Sequence, residues 1–529
     1  MPNDCVTYQN SGYFSSLIVD YLNQKPELKP LYNRFPTLDN FEDQIQEKKV
    51  NFNHSNRAVL ADVLKKQSQN YQYSDLTNQN IESLLSSNTF TITTGHQLNL
   101  FSGPLYFLYK IISAINLADE LKIKYPNYNF VPVYWMATED HDFEEINYFN
   151  FKGKKIRWNK ESSGPVGRLF TSGLDQVFEV FAKELGTGIN AEFLKTLFKK
   201  AYLNHNNLAD ATRYLANALF GNFGLVIIDA DNQNLKKIFS PYIKEELLNQ
   251  TFYKNVSETI QSLEKYAIQV NPRELNLFYI EDNFRERIIF KDGIFTINNT
   301  QKSFSKDEIL EELDKFPEKF SPNVLLRPVY QEVILPNLCY IGGGGEIAYW
   351  LELKSSFESL KVVFPILLLR NSVLVATKKQ AHKADKLNLM WQDLFLKQDV
   401  LIDKKIKAIS NIPIDFSAQM QFLKKQFEDL YKIANLTDSS FIGAVKAQET
   451  KQLKGLLNLE KRLLKAQKRK YSEQVAQIIS FQNNLFPNDS LQERQANFAE
   501  FYLENGNLFI ESLILKIKPL EQNFIIFVL

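Results

Sequence analysis

Four short stretches hold residue types that could do chemistry. Glu139-Asp140-His141-Asp142 sets an imidazole among carboxylates. Flanking carboxylates can hold one ring nitrogen and fix the tautomer, which leaves the other nitrogen free to move a proton. The same carboxylates favour the charged ring, so His141 could equally serve as an acid or an anion clamp. Thr94-Gly95-His96-Gln97, followed by Ser102-Gly103-Pro104, places glycines and polar side chains between a short β-branched run and a long helical pattern. At such a junction, backbone N–H groups and a helix N-terminus can face an anion. Gly342-Gly343-Gly344-Gly345-Glu346 reads as an anion nest. Ser321 to Gln331 contains Asn323, Arg327 and Gln331, and a guanidinium such as that of Arg327 can grip a carboxylate or phosphate with two parallel hydrogen bonds.

Plainer readings stand beside these. Acids at 142, 144 and 145 suit the first turn of a helix. Arg327 could pair with a core acid, and Asp229 and Asp231 could cap the helix after them. Cys339 lies inside an apolar run and reads as core. No second histidine falls at ligand spacing, so a dedicated metal site is not expected, although Mg²⁺ arriving with a nucleotide could use Asp140 or Asp142. No Walker, GxSxG, HExxH or CxxC pattern occurs.

The elements that must position these groups are apolar runs. Residues 89–93, 130–137, 224–228, 338–341 and 362–369 read as strands covered on both faces, as in a parallel sheet. Each run ends in polar residues. In an open parallel sheet those ends converge on one crevice, which argues for an enzyme core. The fold class expected is therefore α/β, with a parallel-sheet core. Residues 1–375 form that core, with an N-terminal helical segment and insertions at about 150–220 and 266–320. Beyond 376 strand signals vanish. Leu457, Leu464, Tyr471 and Ile478 recur every seventh residue, which predicts an antiparallel helical arm over 376–480 suited to dimerisation. The apolar run 524–529 should bring segment 481–529 back onto the core.

Composition narrows the function. The 529 residues carry 62 Lys+Arg against 61 Asp+Glu, so no global field draws the chain to nucleic acid or to a membrane surface. Two cysteines exclude a disulfide framework and fit a reducing cytoplasm. No apolar run is long enough to span a bilayer, and the first residues lack a signal-peptide pattern.

Taken together and in order, several motifs resemble one family. They are Thr94-Gly95-His96-Gln97, Phe101 to Tyr106, Glu139 to Phe143, Ser321 to Val329, Gly345 to Tyr349 and Leu491-Gln492-Glu493-Arg494. The family is the bacillithiol biosynthesis cysteine-adding family, BshC. The resemblance implies a Rossmann-like core with two insertions and a dimerising coiled-coil arm. It implies the last step of bacillithiol synthesis, in which cysteine is joined through its carboxyl to the amine of glucosaminyl-malate. Amide formation needs an activated carboxylate, so ATP with Mg²⁺ is expected as a co-substrate, with no permanently bound cofactor. Family members often carry Gln at the position of His96, which gives His96 a positioning or phosphate-contact role and leaves Asp140 and His141 to manage the amine proton. Thr94, Gly95, His96, Gln97, Ser102, Gly103, Asn323, Arg327, Gln331, Gly343, Gly344, Gly345 and Glu346 are the expected binding residues. Two other readings remain: a nucleotidyltransferase in the same crevice, and a non-catalytic dimeric assembly protein.

Overall fold

The computed structural model describes residues 6–529. At its centre lie five parallel strands: β1 (Thr89–His96), β2 (Asn129–Met136), β3 (Val226–Asp229), β4 (Asn337–Gly342) and β5 (Ile366–Leu369). They are ordered β5-β4-β1-β2-β3. The chain builds outward from β1 to β3 on one side, then returns to build β4 and β5 on the other. β1 and β4 are therefore neighbours across the point where strand order reverses, which is where an open α/β sheet makes its ligand crevice. Because all five strands are parallel, their C-terminal ends share one edge. Thr fills four of the eight positions of β1, and every one of its residues is buried. Such a strand stays in place because both its faces are covered.

The helix α1 (Tyr106–Lys124) follows β1 and presents apolar side chains nearly all round, as a helix buried on several sides must. One charged residue, Lys110, lies within that apolar surface and is 3% exposed. Further on, α2 (Gln233–Asn249) follows β3, α3 (Arg327–Ile334) precedes β4, and α4 (Gly344–Trp350) follows it.

Between β2 and β3 the chain inserts a hairpin, Tyr148–Phe151 with Lys154–Arg157, and several helices. Between β3 and β4 it inserts an antiparallel sheet in which Phe284–Lys291 is central and Phe320–Pro322 forms one edge. The strand read at 362–369 is shorter in the structure. It begins at Ile366, after Pro365, which has no N–H to give a ladder. A strand the sequence did not announce, Val373–Ala376, follows at once and pairs in parallel with Asn523–Val528. The latter also pairs antiparallel with Val6–Thr7.

The arm is a helical hairpin of α5 (Ser417–Ala434) and α6 (Ser439–Lys470). Phe427, Ala434 and Val445 close its outer part, and Ile402, Ile406 and Ile414 pack with Leu463, Leu464 and Tyr471 at its base.

Candidate active site

Gly95 stands at the reversal point, beside Trp135 of β2. A side chain there would be crowded: a Cβ would lie 3.1 Å from the Tyr340 hydroxyl, which would have to give way, and 4.0 Å from Arg327 Nη1. The space it leaves lets Arg327 lie over two rings, 5.7 Å from the Trp135 centroid and 5.6 Å from that of Tyr340. Arg327 Nη1 donates to Gln331 Oε1 at 3.1 Å, one turn along α3. Among the described residues no carboxylate forms an ion pair with it, so the alternative of a core Arg–acid pair does not hold.

Lys110 reaches up from α1 and donates to the Gly95 carbonyl at 2.7 Å, and it forms an ion pair with Glu346. Glu346 also accepts from the Tyr340 hydroxyl at 2.6 Å and from Gly343 N–H at 2.8 Å. Burial alone would raise the Glu346 carboxyl, but Lys110 and these donors outweigh it and hold the group below its ordinary range. Burial in turn lowers Lys110 despite its partner.

Next to this network is a cavity of ≈310 Å³, lined in part by Gln269, Gly344, Gly345, Arg370, Ser372 and Arg494. Arg370 Nη2 donates to Glu493 Oε1 at 2.7 Å, and Nη1 donates to Asn371 O at 3.0 Å. Arg370 is 4% exposed, and its Nε is buried with no acceptor. A buried donor without a partner costs free energy until something accepts from it.

The loop after β2 forms the other wall. Gln97 donates from Nε2 to Asp140 Oδ2 at 3.0 Å and to Glu145 Oε2 at 3.0 Å. Asp140 Oδ1 accepts from the His141 backbone N–H at 2.8 Å. The carboxylates do not hold the imidazole, as the sequence suggested. They stand 3.8 Å (Asp140) and 4.0 Å (Asp142) from its nitrogens. The hold comes from Arg285 of the β-rich insertion, whose Nη1 lies 2.9 Å from His141 Nδ1. A guanidinium only donates, so Nδ1 must accept, which places the proton of a neutral ring on Nε2. Arg285 is itself fixed by Ser321 Oγ at 3.1 Å and Pro322 O at 3.1 Å, and it lies 4.0 Å over the Phe278 ring. The Asp142 carboxyl is pushed up by burial, and then by Asp140. One donor atom each from Asp140, His141 and Asp142 lies within 4.8 Å of the others.

Several expected binding residues do other work. Thr94 Oγ1 donates to Ile341 O at 2.8 Å and ties β1 to β4. His96 is not solvated. It is 6% exposed and packs on Tyr106 and Phe107, with ring centroids 5.3 Å and 5.1 Å away. Burial drives its pKa far down, aided by Lys110 and Arg370, and its Nε2 is buried with no partner. Ser102 is 3% exposed and its hydroxyl has no partner. Phe101, Ser102 and Gly103 all have positive φ (47°, 66° and 59°), which makes this turn a strained loop. Asn323 Oδ1 accepts from Leu325 and Leu326 N–H at 3.0 Å and 3.1 Å and so shapes the entry to α3. Gln331 is fully buried behind Arg327. The glycine run is not an anion nest. None of its four residues has positive φ, and Gly343 N–H is taken by Glu346. Its smallness serves packing: a Cβ on Gly342 would meet Glu346 Cβ at 2.9 Å. Asn232, not Asp229 or Asp231, caps α2.

Lys110, Arg285, Arg370 and Arg494 were not among the expected site residues, and Asp142 was expected only as a carboxylate of the cluster or a ligand for Mg²⁺ arriving with a nucleotide. The one visible signal for Lys110 is a lone charge inside an apolar helical face. Arg370 follows an apolar strand run and Arg494 closes the Leu491-Gln492-Glu493-Arg494 motif, but neither position carries a local sign of its role.

A sheet ordered β3-β2-β1-β4-β5, with arginines at its reversal point and a helical hairpin appended, defines a Rossmann-like core carrying a coiled coil. The family model described as "Bacillithiol biosynthesis BshC, N-terminal Rossmann-like domain" matches residues 1–371, and "Bacillithiol biosynthesis BshC, C-terminal coiled-coil domain" matches 373–529. The chain belongs to the bacillithiol biosynthesis BshC family. It is 67% identical over 524 residues to a protein of Flavobacterium johnsoniae, covering 99% of each chain. It is 63% identical over 525 residues to one of Flavobacterium psychrophilum, again covering 99% of each. A Cytophaga hutchinsonii relative is 38% identical over 517 residues, covering 97% of each. All three bear the name "Putative cysteine ligase BshC".

Proposed function

We propose that this chain is a ligase that joins the carboxyl of L-cysteine to the amine of glucosaminyl-malate, the last step of bacillithiol biosynthesis, with ATP activating the carboxylate. Membership of the family and the names of its relatives support the ligase and cysteine parts. The observation that carries the site is Arg370 Nε, buried without an acceptor on the wall of a ≈310 Å³ cavity at the C-terminal strand edge. Arg327, which has no acid partner, stands beside the same edge. Glucosaminyl-malate, the nucleotide and the cysteine carboxylate all present anionic groups, and the unpaired guanidinium of Arg327 suits them, as does the free Nε of Arg370, whose Nη2 is paired with Glu493.

In this reading Arg327, with Gln97 holding the opposite loop, orients the substrates. The amine attacks the activated carbonyl carbon, loses a proton and expels the phosphate-bearing leaving group. Asp142 is the better acceptor for that proton, because burial and Asp140 raise its affinity for protons. His141 presents Nε2–H as a donor beside it. Asp140 offers the oxygen ligand that Mg²⁺ entering with a nucleotide would prefer. The protein works in the cytoplasm as a homodimer joined through the arm. No helix among the described residues is long and apolar enough to cross a membrane.

The test is product formation. Purified protein is incubated with cysteine and glucosaminyl-malate, with and without ATP, and the thiol product is read by mass spectrometry. Absence of product with every nucleotide tried would sink the proposal. Pyrophosphate release that does not depend on cysteine would instead favour the nucleotidyltransferase reading.

A further inference from the structure

Arg327 is held by an amide oxygen, and that amide has a buried support of its own. Gln331 Nε2 donates to Glu332 Oε1 at 2.9 Å. Glu332 Oε1 also accepts from Asn337 Nδ2 at 2.6 Å, and Oε2 accepts from Lys48 Nζ at 2.8 Å. Asn337 is fixed in turn by Thr93 Oγ1, which donates to its Oδ1 at 2.8 Å. Lys48, Gln331, Glu332 and Asn337 are all 2% exposed or less.

A glutamine between a guanidinium and a carboxylate has one stable orientation. The guanidinium only donates and the carboxylate only accepts, so the amide oxygen must face Arg327 and the NH₂ must face Glu332. Arg327 is thus positioned by a dipole while its charge stays available. The negative charge that fixes the dipole sits one residue further off and is matched by Lys48. A carboxylate at position 331 would neutralise Arg327 and would set its second oxygen against Glu332.

We propose that Glu332, supported by Lys48, is the positioning residue for Arg327: it pins the Gln331 amide so that an uncompensated guanidinium faces the anionic substrate. The inference rests on the reading that Arg327 grips a substrate anion, and the experiment separates the two.

Steady-state kinetics are measured for both substrates and ATP. Arg327→Met identifies the substrate whose KM depends on the guanidinium. Two double variants then remove the same buried ion pair. Lys48→Met with Glu332→Met leaves Gln331 no acceptor, whereas Lys48→Met with Glu332→Gln keeps an oxygen facing it. The first should raise that KM about tenfold with kcat little changed, on the scale of one charge-linked hydrogen bond, and the second should restore it. Equal KM values for the two doubles, with Arg327→Met still effective, would overturn the positioning role alone. No KM change in Arg327→Met would overturn the anion grip and this inference with it. Should the Met–Met protein not fold, Gln331→Met cuts the same link, because Glu332 keeps its Asn337 and Lys48 donors while Arg327 loses its acceptor. It should raise that KM, and an unchanged KM counts against the proposal.

Discussion

The Asn497 side-chain amide closes on the Gly103 carbonyl at 2.6 Å, and the same nitrogen donates to Phe101 O at 2.8 Å. One residue from the last part of the chain therefore holds both ends of the strained turn after β1. The turn's apolar filling is also shared, since Phe101 packs on Phe498 with centroids 5.2 Å apart. Asn497→Ala should leave two buried carbonyls without a donor and cost about 2–4 kcal/mol. Thermal or urea unfolding checks this, and Asn497→Asp should be worse still, because it sets a charge against two carbonyl oxygens.

Arg494 lines the cavity beside Arg370 but is exposed. Arg494→Ala should therefore leave stability within about 0.5 kcal/mol of the parent. If it meets an anionic substrate, the KM for that substrate should rise about tenfold, as for a lost charge-assisted hydrogen bond. Kinetics with each substrate varied in turn would show which one it meets.

Asp229 gives a pH dependence whose sign can be worked out. Burial, and then Asp231, raise its carboxyl from the ordinary 3.8 to about 6. The folded protein therefore holds a proton that the unfolded chain has already lost, so stability falls as pH rises through that window. Asp229→Asn keeps an oxygen for Thr138 Oγ1 and Asp231 N–H, which now meet Asp229 Oδ1 at 2.5 Å and 3.0 Å. It should melt above the parent at about pH 8, and the gap should close by about pH 4. Melting curves across that range decide it.

On the arm, Phe422 is 66% exposed and Ile433 is 56% exposed. Apolar side chains of that size in water mark a surface that gains by association. If the arm joins two copies as proposed, Phe422→Lys with Ile433→Lys should give a monomer by light scattering, while the core keeps its melting transition. If the double variant keeps the parent's mass in solution, the arm face is not the interface.

The core was legible because parallel strands buried on both faces appear as unbroken apolar runs. Their shared direction followed from the helices between them, and polar residues at each end marked one edge of the sheet. What lay hidden were the partnerships. Arg285 reaches His141 across 144 positions, and Arg370 reaches Glu493 across 123. Local spacing carries no trace of either. Flanking acids seemed to own His141 because they are its neighbours in sequence, yet the short loop turns them out of hydrogen-bond range. The glycine run looked like a nest because four glycines are permissive, but the Glu346 carboxylate curls back and caps the helix itself. His96 drew attention as a polar residue in a loop, whereas in space it is a neutral ring packed among aromatics.

The division between the two family models falls between residues 371 and 373. It separates Arg370 from Glu493, the turn from Asn497, and Val373–Ala376 from the residues before it. Two sequence modules thus meet inside one physical unit. Recombination could exchange the outer arm freely, because its hairpin closes on its own small clusters. The last stretch of the chain has no such freedom, since it carries side chains on which the first module's turn and arginine depend. In inheritance, that stretch must travel with the core and not with the coiled coil it follows.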